Sequence, residues 1–145
     1  MYGLKTESSF DAAHFLTDYH GKCENLHGHR WRVVAYLEQE NLQSEGTMKD
    51  MVLDFGEFKQ AVRAMTEALD HTFIVEEGSL KPQTIACLED EGFTLSVMPF
   101  RTTAENLATS SITCANRACP SHRSTCTRPR TTARSTAASR QRKRR

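Results

Sequence analysis

What most limits the fold of this chain is the point where its hydrophobic pattern stops. Residues 110–145 hold 12 Ser/Thr, no aromatic residue, and Ile112 as the only large aliphatic side chain. A segment of that composition cannot bury enough apolar surface to offset the entropy lost on ordering. It is therefore expected to be disordered, and any core must come from the residues before it. The chain reads as one domain over 1–108 followed by a basic Ser/Thr/Arg-rich tail over 109–145.

The charge divides at the same place. Residues 1–109 carry nine Lys/Arg against all 18 Asp/Glu, a net of −9, whereas 110–145 carry ten Lys/Arg and no acid. A basic arm on an acidic domain suggests nucleic acid, held through its phosphates. The tail has no aromatic residue on which a base could stack, which disfavours that partner. No apolar run approaches the roughly 20 residues of a membrane span. The N-terminus lacks the basic-then-apolar pattern of a secretory leader. The five cysteines (Cys23, Cys87, Cys114, Cys119 and Cys126) form no even framework, so a reducing, cytoplasmic setting is the default expectation.

Within 1–108 the patterning is informative. Residues 1–14 and 27–40 read as two strands joined by a polar loop and paired antiparallel. Asp54 and Glu57 form a capping-box-like start. Phe58, Val62, Met65 and Leu69 then recur at helical spacing, predicting a helix over 55–69. A short helix is expected within 79–91 and a short strand at 93–98. Thr102 and Glu105 read as a second capping box that opens another helix.

The chemistry-bearing residues lie on these elements. His27 and His29 are two apart on a strand, so their side chains share a face. His14 closes the preceding strand and could lie across from them. Three converging imidazoles suit Zn²⁺ with a fourth position open, the layout of a catalytic zinc site. Against this, His-x-His alone often means two solvent-facing strand residues. Cys23 could be a fourth ligand that closes a structural zinc site, an inert thiol, or a catalytic thiolate. Asp70-His71 could merely end a helix, with His favoured at the negative end of the dipole. It could instead be a carboxylate–imidazole pair for proton transfer.

The set Phe10-Asp-Ala-Ala-His14, Cys23-Glu-Asn-Leu-His27-Gly-His29, Leu53-Asp-Phe, Leu69-Asp70-His71 and Thr103-Ala-Glu-Asn106 resembles the 6-pyruvoyl-tetrahydropterin synthase / 6-carboxytetrahydropterin synthase family. The resemblance runs from about residue 2 to 108. It implies an α+β tunnelling fold, an antiparallel sheet of four strands with two helices on one face, assembled into a homo-oligomer (a hexamer by family). By matched position it implies His14, His27 and His29 as Zn²⁺ ligands, Cys23 as proton acceptor, and Asp70 with His71 as a relay. Glu105 is a weaker candidate for substrate binding. The implied substrate is 7,8-dihydroneopterin triphosphate. The short N-terminus and cysteine spacing favour the enzyme that forms 6-carboxytetrahydropterin on the way to queuosine, and 6-pyruvoyltetrahydropterin formation is the alternative.

The family continues past Thr-Ala-Glu-Asn with a helix and two strands, entered through a Tyr-Glu-Thr-Pro-Asn-Asn-Cys-Ala-like link whose Glu anchors the pterin. None of that is legible here, so the last two strands are expected to be missing. Reading the third base of each codon with the first two of the next permits that link over Thr127–Thr136. The expectation is a reading frame that slips near Ala108–Thr109. An inactive, frameshifted zinc-binding domain is then a further alternative.

Overall fold

A computed structural model describes residues 1–110 and, as backbone, 131–136. The expected hairpin is present as β1 (Tyr2–His14) and β2 (His27–Gln39), paired antiparallel from Tyr2 opposite Gln39 to His14 opposite His27. Alternation sends Thr6, Phe10, Ala12 and His14 of β1, with Trp31, Val33 and Ala35 of β2, to the buried face. The opposite face is polar, and ion pairs Arg30–Asp11 and Arg32–Glu7 lie along it.

Helix α1 (Phe55–Glu67) begins where the capping pattern puts it. The Asp54 carboxylate accepts the Glu57 N–H at 3.0 Å, a contact worth about 1 kcal/mol. Gly56 leaves room for it, since a Cβ there would lie 2.9 Å from Asp54 Oδ1. Phe58, Val62 and Thr66 are buried one turn apart. Phe58 and Val62 pack with Ala35, Val52 and Leu53, and Thr66 Oγ1 meets Ser8 Oγ of β1 at 2.8 Å.

Beyond α1 come β3 (Phe73–Glu76), α2 (Pro82–Asp90) and β4 (Leu95–Met98). Residues 104–110, here α3, are helical. Leu107 of α3 joins Phe10, Ala12, Trp31, Val33 and Ile74 in a second cluster, against which Met65 of α1 also packs. Two helices thus cover one face of the sheet, as expected, whereas α2 has no buried residue. The chain is α+β.

Two expectations about the sheet need correction. It is mixed rather than antiparallel: β3 runs parallel to β1 and β4 parallel to β3. For β3 and β4 the reason is the connection, because a return through a helix such as α2 reverses the chain twice and yields parallel neighbours. Nor does the sheet stop at the residue 108 boundary. Its order among the described residues is β4-β3-β1-β2-β5. Strand β5 (Thr131–Thr136) comes from the segment read as a disordered tail, and it pairs antiparallel with β2 from Ala35 to Arg30. The rest of that expectation, over 111–130 and 137–145, lies outside the described residues.

Candidate metal centre

The hairpin register assembles the histidines. His14 and His27 are direct cross-strand partners, and His29 stands opposite Ala12, whose side chain shares the buried face with His14. The ring centroids are 4.6 Å apart for His14 and His27, 5.1 Å for His14 and His29, and 4.6 Å for His27 and His29. One nitrogen from each ring falls within 4.8 Å of the others. Trp31, two residues on and only 1 % exposed, forms the floor of the site. Its ring stands edge-on to His14 at 5.0 Å and to His29 at 5.4 Å.

Hydrogen bonds settle which nitrogens face inward. His14 Nδ1 lies 2.8 Å from the Thr102 carbonyl oxygen, and His27 Nδ1 lies 2.7 Å from that of Asn25. A carbonyl oxygen only accepts, so each Nδ1 carries the proton and each neutral ring presents its Nε2 lone pair. Both Nε2 atoms are buried with no protein partner. Burial holds the His14 pKa down to about 4, with the His27 and His29 charges adding to the effect and the Thr102 bond opposing it. Burial, then His27, lowers that of His29. His14 and His29 are thereby biased toward the neutral form that ligation requires. Lone pairs converging in a buried space without a donor fit a divalent cation, and the three-His set can hold one.

The remaining sequence candidates stand apart from this set. Cys23 is half-buried in a 3₁₀ turn (Lys22–Glu24), tied to the first strand's exit by the Leu16 N–H, which its carbonyl accepts at 2.8 Å. It is not in the cluster of mutually close ligand atoms. Asp70 and His71 follow α1 directly. The Asp70 carboxylate accepts the Asp11 N–H at 2.8 Å and meets His71 Nδ1 at 2.9 Å. The His71 N–H in turn donates to the Asp11 carbonyl at 2.7 Å. The Asp11 N–H, then the His71 bond, hold the Asp70 carboxyl below its ordinary value. His71 has φ +57°, a left-handed conformation uncommon outside glycine. Glu105 is exposed at the start of α3.

The second capping box shifts by one residue. Thr103 Oγ1, not Thr102, accepts the capping N–H, from Asn106 at 3.3 Å. Thr102 is turned inward and completely buried, held there by contacts to β1 and Phe15. The Thr102 carbonyl beside His14 and the Asn25 carbonyl beside His27 carry no sequence signal, because both are main-chain atoms. Trp31 was legible in principle, since it lies two residues beyond His29 on the same strand face.

The fold and the buried three-His set define a class: an α+β protein with a candidate metal centre in the mouth of a β-hairpin. Comparison with known proteins narrows it. The family profile "6-pyruvoyl tetrahydropterin synthase" matches residues 3–140. A 6-carboxy-5,6,7,8-tetrahydropterin synthase of Haemophilus influenzae is 38% identical over 111 residues, covering 74% of this chain and 77% of the relative. One from Synechocystis is 34% identical over 85 residues, covering 58% and 66%. Among solved structures, 6-pyruvoyl tetrahydropterin synthase of Plasmodium vivax superposes with a TM-score of 0.62 at 20% identity, covering 93% of this chain and 98% of that one. An uncharacterized protein of Wolinella succinogenes gives 0.65 at 21%, covering 81% and 84%. The chain belongs to the 6-pyruvoyl tetrahydropterin synthase family. No helix among the described residues is long and apolar enough to cross a membrane.

Proposed function

We propose that this chain is a zinc-dependent 6-carboxy-5,6,7,8-tetrahydropterin synthase. It would convert 7,8-dihydroneopterin triphosphate and water to 6-carboxytetrahydropterin, acetaldehyde and triphosphate, a lyase step toward queuosine. The observation that carries this reading is the trio of converging imidazoles in a chain whose curated relatives bear that name. His14, His27 and His29 would hold the zinc, which supplies Lewis acidity toward the substrate's side-chain hydroxyls.

The protein's own groups do the rest. Cys23, on a polar turn beside Lys22, would serve as the proton acceptor. Asp70 holds His71 by Nδ1, so Nε2 is the atom that delivers or removes protons. The exposure of His71, 82 % for its side chain, leaves that atom within reach of a substrate or of a second subunit. A homo-oligomeric, cytoplasmic enzyme is the setting this reading assumes.

A second reading is favoured by one specific residue. Arg128 stands where the shifted frame reads the pterin-anchoring glutamate. On that reading the chain as written is an inactive metal-binding domain, and Glu105 is the remaining acidic candidate for substrate binding.

One assay separates the readings. The zinc-loaded chain is incubated with 7,8-dihydroneopterin triphosphate, and triphosphate and acetaldehyde are quantified. Release of both in equal amounts is expected. Triphosphate without acetaldehyde would mean 6-pyruvoyltetrahydropterin formation. Release of neither from a folded, zinc-loaded sample, with activity restored in the shifted-frame chain, would establish the inactive domain.

A further inference from the structure

We infer that Thr102 is the positioning residue of the metal centre, acting through His14. The inference rests on the three-His reading above and adds a residue to it. Thr102 is 0 % exposed, although a threonine after an arginine in a connecting segment has no evident reason to be buried. It makes two contacts, to consecutive residues at the end of β1. Its carbonyl accepts the His14 Nδ1–H at 2.8 Å. Its hydroxyl donates to the Phe15 carbonyl at 2.9 Å. The same hydroxyl oxygen lies 3.4 Å from His14 Nδ1, a weak second acceptor for that N–H.

These contacts divide the work. The carbonyl chooses the tautomer, leaving His14 Nε2 as the atom that faces His27 and His29. The hydroxyl fixes the main chain at Phe15, and so sets where the His14 Cα lies relative to the Thr102 carbonyl. Threonine is stiff at χ1, and complete burial removes water as a competitor for either bond. The segment 99–103 is thereby pinned to β1 at His14, the last residue of that strand. Thr102 acts through His14 and is not itself among the three converging ligands. Partners of this kind to a metal-bound histidine usually set affinity by about 10–100-fold.

The test uses the full chain and cobalt(II) as probe. Trp31 is the only tryptophan, and its ring lies 5.0 Å and 5.4 Å from those of His14 and His29, so cobalt binding reports through its fluorescence. Thr102→Val keeps the shape and removes the hydroxyl, and is expected to weaken cobalt binding about 10-fold or more. Thr102→Ser keeps the hydroxyl and is expected to stay within about 3-fold of the native chain. Equal affinities for Thr102→Val and the native chain would overturn the assignment and leave the three-His reading standing. Equal losses in the valine and serine variants would overturn it too, since packing would then be the cause. A native chain that binds no cobalt would remove the three-His reading and this inference together. Should Thr102→Val fail to fold, long-range ¹H–¹⁵N spectra of the metal-free native chain decide the matter. A His14 Nδ1–H tautomer supports the assignment, and Nε2–H overturns it.

Discussion

Two clusters of titratable side chains meet β1 on this chain, and they are built on opposite principles. His14, His27 and His29 project from paired strands, with Trp31 beneath them and His14 only 4 % exposed. Main-chain carbonyls dictate the proton positions of His14 and His27. Asp70 and His71 sit on a turn after α1, largely in solvent, and are held by the backbone of Asp11. The first arrangement suppresses charge, and the second keeps Asp70 ionised. Buried neutral imidazoles suit a cation. An exposed, anionically supported imidazole suits proton exchange with something that comes and goes. The strain at His71 is consistent with a position selected for direction rather than for stability.

The comparison breaks or sharpens through experiment. The largest effect is expected from Asp70→Asn in an active, metal-loaded chain. It should lower turnover by about 10²–10⁴-fold with metal affinity unchanged; cobalt titration beside the kinetic assay would reveal any loss of affinity, which would mean the clusters are not independent. His27→Ala removes one inward nitrogen and should weaken metal binding by more than about 100-fold, above the range that loss of an outer partner costs. Isothermal titration measures it, and retention of native affinity would dissolve the three-His centre.

Acidity should separate the clusters by pH window. The His14 pKa in the fold, about 4, lies below its ordinary 6.5. Between these values the unfolded chain takes up a proton that the folded chain refuses, so stability of the metal-free protein falls as pH drops through that range. Asp70 is depressed from an ordinary 3.8, so its contribution is intact above that value and lost only at lower pH. Thermal melts between pH 7 and 4 should show the first loss, reduced in His14→Gln. A loss that persists undiminished in that variant would place its origin elsewhere.

The smallest effect on stability is expected from His71→Gly. Glycine adopts the +57° φ without strain. Stability by denaturant titration should stay close to that of the native chain, since an exposed ion pair is worth little. Turnover should nevertheless collapse, which would separate the direction of the His71 side chain from any structural duty.

Much of this was legible in the residues. Alternation across 1–14 and 27–40 marked the hairpin and put His27 with His29 on one face, because a strand's side-chain period is two whatever surrounds it. Asp54 announced α1 because a capping contact spans only three residues. Strand β3 was not legible, since four residues after a helix end carry too little pattern, and only Ala13 and His14 of β1 pair with it. The capping register at Thr102–Thr103 was misread by one, because both residues have the right hydroxyl and only burial distinguishes them. Strand β5 arose from a segment whose composition argues against a core but does not forbid main-chain pairing to an available edge.

By itself the sequence determined the elements that rest on local periodicity, the histidine trio, and the motif set that marks the family. The tertiary structure alone decided the mixed sheet, the burial of Thr102, and the tautomers that turn His14 and His27 inward. They depend on which main-chain oxygen lies against which side chain, for His14 across 88 residues of chain, and no side-chain pattern records that.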